Sequence, residues 1–463
     1  MSNQKPTNAN AVSKLGFYGG VGSVTGANFM LDTGNAKFLV DCGLVQGEQF
    51  GPKVNAEPFV YDASEINALL VTHAHADHIG RIPKLVREGF TGTIYSTEPT
   101  KALANIMLRD AYKIMVFEEE RYGTKRLYEL KDVDTALSMW ETVGYDEVVT
   151  LADSTSATFQ DAGHILGSAM VHLSRNGKKI VFTGDVGNVP QPLMPPPTIP
   201  EGYDYLVMES VYGDRLHEEV DERTALLAEY ILEVQQKGGT LIIPAFSLER
   251  TQGMLLEINN LVESGEIEAI PTFLDSPLAI EVTSIYKSFT QYLREDVREQ
   301  IEQGDDIFNF PKLSFTRSVK DSRDISKVSG AKIIIAGSGM SHGGRIREHE
   351  KRYLEDQRSM LLLVGYQAAG SLGRRLADGA TNVRIDDVNV RIRAKVATIR
   401  GYSGHADRDQ LMELVAAGGD KAKQVFVTMG EERSSLFLVQ RLRDYLDLNA
   451  VAPDLGEVIE IDF

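Results

Sequence analysis

Thr72-His73-Ala74-His75-Ala76-Asp77-His78 places three of the chain's nine histidines and one aspartate within six positions. Neutral imidazole and carboxylate are the donors that borderline divalent metals such as zinc take. In an extended segment residues 73, 75 and 77 share a face, whereas in a helix His73, Asp77 and His78 do. The apolar run Asn67-Ala68-Leu69-Leu70-Val71 ahead of them reads as a buried strand, and Gly80 follows closely. We expect a loop at a strand end that presents ligands to two metals. The competing reading is a solvated polar loop with histidines there by chance.

Two more strand ends carry single donors. In Asp161-Ala162-Gly163-His164-Ile165-Leu166-Gly167 the histidine sits between glycines, although a lone histidine is more often structural. Lys179-Ile180-Val181-Phe182 leads to Thr183-Gly184-Asp185, where small neighbours would let a metal approach the carboxylate closely. A bare Gly-Asp turn is common by itself, so neither donor decides anything alone. His172, after Met170-Val171, reads as structural, and His217 needs no catalytic role. The run Gly19-Gly20-Val21-Gly22-Ser23-Val24-Thr25-Gly26 lacks the Lys-Ser/Thr of a phosphate-binding P-loop and reads better as a tight turn.

Elements that would carry these donors are visible on either side. Phe29–Leu31 and Lys37–Gly43 read as strands joined by Asp32-Thr33-Gly34-Asn35. Ile82 to Glu88 looks helical and Thr93–Tyr95 strand-like. Residues 100 to 140 form a charged helical stretch broken at Gly123, a solvated cover without chemistry of its own. Near the end, Asp407 is placed to cap a helix through Leu411 to Ala416. Gln424–Thr428 and Val458–Ile461 read as strands flanking a helix over 436–445.

A chain of 463 residues can bury a large core and should form two domains or one heavily inserted domain. No apolar run approaches the roughly 20 residues that span a bilayer. Met1 to Lys14 has no apolar h-region and reads as a disordered tail over 1–14. The single Cys42 excludes an intramolecular disulfide and suits a reducing cytoplasm. We therefore expect a cytoplasmic protein with no membrane segment. A net charge of −18 argues against broad non-specific nucleic-acid binding, though not against a narrow basic cleft or metals that supply positive charge locally.

Taken in order, the strand-end donors His73, His75, Asp77, His78, His164 and Asp185 resemble the ligand series of the metallo-β-lactamase superfamily. Gly401-Tyr402-Ser403-Gly404-His405-Ala406-Asp407 resembles the family's last ligand segment. The resemblance implies two divalent metal ions, taken to be Zn2+. One would be held by His73, His75 and His164, the other by Asp77, His78 and His405, with Asp185 bridging them.

The stretch from Asp185 to His405 is too long for a loop and alternates strands with helices, so it reads as an inserted α/β domain. Its successive units open at Tyr205–Glu209, Thr240–Arg250, Thr272–Ala279, Lys332–Arg345 and Met360–Arg375. These are similar to the β-CASP branch, the nucleic-acid-processing nucleases of the superfamily, and to the mRNA 3′-end cleavage endonuclease subgroup with its bacterial and archaeal relatives. The implied fold is α/β, an αββα metallo-β-lactamase sandwich with an inserted α/β β-CASP domain. Its expected limits are 15–208 for the first part of the sandwich, 209–385 for the insertion and 386–463 for the second part.

Glu209 matches the branch's first acidic motif and is expected to hold a ligand imidazole in its tautomer. Asp77 is expected to orient the attacking water as well as to ligate. Small residues at a helix N-terminus leave backbone N–H groups for phosphate oxygens. On that ground Ser338 and Gly339, and Gly370 and Ser371, are candidate cradles, with Arg345, Arg374 and Arg375 as candidate charge. The two last arginines could equally form surface pairs. Relatives that act on RNA carry a further histidine some twenty residues ahead of the last ligand. Here there is none between His349 and His405. That departure leaves the leaving-group acid unassigned and weakens the choice of RNA over DNA.

The expectation is a metal-dependent hydrolase acting as a ribonuclease on single-stranded RNA, in processing or decay, as a monomer or homo-oligomer. A small-molecule thioester or lactone hydrolase would use the same donors but would not need the insertion. A DNA-directed member, or a catalytically idle RNA-binding member, would share the whole architecture.

Overall fold

The computed structural model describes residues 12–47, 51–367, 370–419 and 421–463. Their contacts divide the chain into two units: residues to 187, 196–216 and 405–463 in the first, 188–195 and 217–404 in the second.

The first unit is built on two seven-stranded sheets. One runs Val458–Ile461, Ser13–Gly19, Asn28–Asp32, Lys37–Val40, Ala68–Leu70, Thr93–Ser96, Trp140–Thr142. The other runs Ala450–Val451, Gln424–Val427, Tyr205–Met208, Lys178–Phe182, Ala169–Arg175, Ser156–Asp161, Val149–Thr150. Leu15, Phe17, Phe38 and Leu70 of one sheet share a core with Phe159, Val171, Phe182 and Phe426 of the other. On the outer face of the second sheet, Met170, Leu206 and Val425 pack with Leu411 and Leu414 of helix Arg408–Gly418 and Leu438 and Leu442 of helix Glu432–Leu446. The central strands are therefore buried on both faces, which is why their sequences are near-continuous apolar runs rather than alternating ones.

Antiparallel hairpins start the first sheet, and from Lys37–Val40 onward the pairing is parallel through Ala68–Leu70 and Thr93–Ser96. In the second sheet Lys178–Phe182, Tyr205–Met208 and Gln424–Val427 run parallel. The carboxyl ends of these parallel strands deliver the His73–His78 loop, Asp185 and Glu209.

The second unit has a six-stranded, all-parallel sheet in the order Leu313–Phe315, Thr272–Leu274, Lys332–Ala336, Thr240–Pro244, Met360–Leu363, Lys395–Thr398. From Thr240–Pro244 the chain winds outward to one edge. It then returns to lay Lys332–Ala336 beside its starting strand and continues to the other edge. The reversal sets the segments 245–249 and 337–344 side by side at the carboxyl ends of these two neighbours, the end at which doubly wound sheets take ligands.

Several limits differ from the sequence reading. By contacts the insertion proper starts at 217 rather than 209, with 188–195 also in the second unit, and both ends of the expected blocks shift. Ser13 and Lys14 are not tail but part of the first strand, pairing with Ile461 and Glu460; the rest of the expected tail, up to residue 11, lies outside the described residues. The second unit also continues past 385 to Gly404, because Lys395–Thr398 pairs with Met360–Leu363 and completes its sheet. Four residues with alternating Lys, Val, Ala and Thr do not announce which sheet they join.

Candidate metal centre

The His73–His78 segment is neither all loop nor all helix. Its first half is extended, and Ala76–Ile79 forms one helical turn with His75 at the N-cap position. The extended half aims His73 and His75 into the site, and the turn redirects Asp77 and His78. Close packing of this loop on its neighbours needs Gly43, where a Cβ would lie 1.4 Å from the Asp77 carbonyl oxygen. Gly187 serves the same end on the other side, since a Cβ there would meet the Gly163 carbonyl oxygen at 2.0 Å. The loops that carry His164 and Asp185 can therefore lie against each other.

His73, His75, His164 and Asp185 converge. His73 Nε2 lies 3.0 Å from His75 Nδ1, and His164 Nε2 lies 3.2 Å from the same atom. Asp185 Oδ2 is 3.4 Å from His73 Nε2 and 3.5 Å from His164 Nε2. A tetrahedral ion with bonds near 2.1 Å has ligand atoms about 3.4 Å apart, so these separations match the edges of one coordination polyhedron. Burial pushes His75 and His164 well below the ordinary imidazole pKa and lowers His73, so neutral rings present lone pairs to one another. A cation at the centre resolves that arrangement.

Asp185 faces further donors with its other oxygen. Its Oδ1 is 3.3 Å from His78 Nε2, and both atoms are buried without a hydrogen-bond partner among the described residues. Asp185, Glu209 and His405 form a second convergent group. Within it, His405 Nδ1 is 3.2 Å from Glu209 Oε1 and 3.9 Å from Asp185 Oδ2. The orphaned buried atoms, the ring-nitrogen spacing and the donor chemistry all fit divalent metal.

Not every expected ligand falls into these groups. Asp77 and His78 belong to neither; the Asp77 carbonyl accepts from Ala27 N–H, and burial raises its carboxyl to about 6. Glu209 stands beside His405 as expected. Its Oε1 also accepts from Val186 N–H at 2.6 Å and its Oε2 from Val211 N–H at 3.3 Å, which fixes the carboxylate before any metal enters.

Sequence reasoning missed Asp41, which ends the strand Lys37–Val40 and is 1% exposed. Its Oδ2 accepts from His78 Nδ1 at 2.7 Å, while Thr72 donates both its N–H and its hydroxyl to the same carboxylate at 2.8 Å. Asn28 Nδ2 holds the Asp41 carbonyl at 3.0 Å. The signal was present, since an aspartate at the end of an apolar strand beside a metal motif is itself a costly burial.

In the second unit the candidate substrate residues prove largely engaged. Arg345 donates to Asp275 Oδ1 at 2.7 Å and to the carbonyls of Thr316 and Arg317. Ser371 caps the helix Leu372–Ala377 by accepting Arg374 N–H, and Arg374 Nε pairs with Asp378 at 3.0 Å. Ser338 accepts His342 N–H through its hydroxyl, and the Gly339 carbonyl accepts from Gln367. Gly370, at φ +84°, precedes that cap. Arg375 is exposed, and its side chain makes no ion pair or hydrogen bond among the described residues. His349, one of the two histidines nearest the missing position, is fixed to Asp275 Oδ2 at 2.7 Å. His172 is buried on its strand, and Cys42 is a buried thiol pushed up to about 12.

Among the described residues no helix is long and apolar enough to cross a membrane. Three family models match the chain: a metallo-β-lactamase superfamily domain over residues 30–189, a Beta-Casp domain over 251–376, and a Zn-dependent metallo-hydrolase RNA specificity domain over 389–453. A ribonuclease of Thermus thermophilus is 36% identical across 91% of this chain and 94% of its own length. An RNase J-like protein of Methanocaldococcus jannaschii is 31% identical, covering 96% and 99%. Transcription termination factor FttA of Methanothermobacter thermautotrophicus is 32% identical over 95% of this chain and 70% of its own. A solved structure of a protein of unknown function from Enterococcus faecalis shares the fold, with TM-score 0.57 at 12% identity over 97% of this chain. With the ligand geometry and the matches over both units in agreement, the chain belongs to the β-CASP branch of the metallo-β-lactamase superfamily, resembles that branch's RNA-processing nucleases, and is a metal-dependent hydrolase.

Proposed function

We propose that the chain is a nuclease that hydrolyses phosphodiester bonds of single-stranded RNA at a dinuclear zinc centre, in RNA processing or decay. The observation that carries this reading is the set of ligand-atom separations around His73, His75, His164 and Asp185, in a chain whose relatives include a named ribonuclease. His73, His75 and His164 would hold one ion, with Asp185 shared. His78, His405 and Asp77 would hold the second ion beside Asp185, a reading supported by His78 Nε2 at 3.3 Å from Asp185 Oδ1 and by the convergence of His405 with Asp185. Bound ions would lower the pKa of water and offset charge building on the phosphate oxygens.

The protein groups then have separate tasks. Asp41 would accept a hydrogen bond from the Nδ1–H of His78, which leaves the Nε2 lone pair on the Asp185 side. Glu209 does the same for His405 through Nδ1. Asp77 would orient the attacking water through its carboxylate. The Gly337–Gly344 loop supports RNA rather than a small thioester as substrate. Among the described residues, the N–H groups of Met340, Gly343 and Gly344 donate to no protein acceptor, and on this part-exposed rim they would be available to a phosphate. Arg375 would add charge.

The test is cleavage of 5′-labelled single-stranded RNA beside matched DNA, with and without chelator. Chelator-sensitive cutting of RNA is expected, the product ladder distinguishing endonuclease from exonuclease. A zinc-loaded protein that cuts neither polymer but opens thioesters or lactones would overturn the reading.

A further inference from the structure

The Gly337–Gly344 loop is held from inside and from below. Inside it, Ser338 N–H donates to the Gly343 carbonyl at 3.3 Å, Ser341 N–H to the Ser338 carbonyl at 3.1 Å, and His342 N–H to the Ser338 hydroxyl at 3.1 Å. Its rim is solvent-facing: Met340, His342 and Gly343 are half-exposed and Gly344 is exposed. One residue points the other way. Ser341 is 1% exposed and has φ +59°, a backbone conformation that serine seldom takes. Its hydroxyl donates to Glu350 Oε1, on the helix Ile346–Tyr353 that follows the loop.

Glu350 is an unusual anchor. It is fully buried, its Oε2 has no hydrogen-bond partner among the described residues, and burial pushes its carboxyl up to about 7. A helix interior has no need of a carboxyl in that position, and a leucine would fill the space without the desolvation cost. What the carboxyl adds is one directional contact, to the loop's buried serine side chain.

We propose that Glu350 is the positioning residue of this loop, its buried carboxyl gripping the Ser341 hydroxyl so that the amides of Met340, Gly343 and Gly344 stay open to a backbone phosphate of RNA. The proposal rests on the RNA reading above. It assigns Glu350 no contact with substrate.

Glu350→Leu removes the grip and keeps the packing. Ser341→Gly removes the hydroxyl in a residue that takes φ +59° without strain. Glu350→Gln keeps an acceptor for the serine hydroxyl. Anisotropy of a 5′-labelled unstructured RNA, measured in chelator, reads binding without cleavage, and thermal melting shows that each variant folds. E350L and S341G are expected to bind about tenfold more weakly. In zinc their KM should rise by the same factor with kcat and metal content unchanged, and E350Q should match the parent. Parent-like affinity in both E350L and S341G overturns the role of Glu350 alone, as does an E350Q that fails like E350L. A parent protein that binds no RNA overturns the RNA reading and this proposal with it.

Discussion

Asp41 Oδ2 and His78 Nδ1 meet at 2.7 Å, at the point where the strand Lys37–Val40 ends beside the His73–His78 loop. The same carboxylate is held by two donors from Thr72, so it is oriented independently of the histidine it serves. This makes the metal centre a property of the strand ends rather than of the ligand loop alone.

Asp41→Asn should therefore weaken metal binding without removing a ligand. Losing a partner of this kind costs roughly 10- to 100-fold in metal affinity. Competition with a chromophoric chelator measures it. An unchanged affinity would mean that His78 is not a ligand.

Arg345 behaves as a structural residue on this account, because its guanidinium spans Asp275 and two carbonyls. Arg345→Ala should lower stability by about 2 kcal/mol, since Asp275 stays buried with one partner fewer. Denaturant midpoints check it.

Arg375 should show the opposite pattern. The side chain is exposed, so Arg375→Ala should leave the melting midpoint in place. RNA binding should weaken, and the slope of log affinity against log salt should fall by about 1 if the arginine meets a phosphate. Titrations at several salt concentrations decide it.

His172 supplies a pH test away from the metal. Burial holds its pKa at about 4, against an ordinary 6.5, and nearby Lys179 lowers it further. The unfolded chain thus binds a proton before the folded one does. The stability from the neutral ring is fully present above 6.5 and is lost as pH falls from 6.5 toward 4, to a total of about 3 kcal/mol. His172→Gln should lose that acid dependence, and denaturation of parent and variant across the window reads the difference.

Part of the donor set was legible, because several imidazoles and a carboxylate crowded at one strand end are costly unless something binds them, and His73, His75, His164 and Asp185 do converge. The apolar runs at Ala68–Leu70, Lys178–Phe182 and Tyr205–Met208 marked individual buried strands, while the αββα layering was implied only by the family resemblance. Two things were not legible. Asp41 sits in a left-handed backbone conformation, φ +59°, after an ordinary-looking strand, and only the fold shows that Thr72 and His78 close on it. The arginines of the second unit carry no sequence mark that separates Arg345, locked on a buried carboxylate, from Arg375, which is exposed. Lys395–Thr398 was assigned by sequence to the wrong side of the boundary because strand pairing is set by partners far away in the chain.

The most direct measurement is cleavage of 5′-labelled single-stranded RNA by the zinc-loaded protein beside Asp185→Ala, with folding of the variant checked by melting. The account predicts chelator-sensitive cutting by the parent and none by the variant, because Asp185 is the one residue shared by both donor groups. A folded Asp185→Ala protein that cuts RNA at the parent's rate would contradict it.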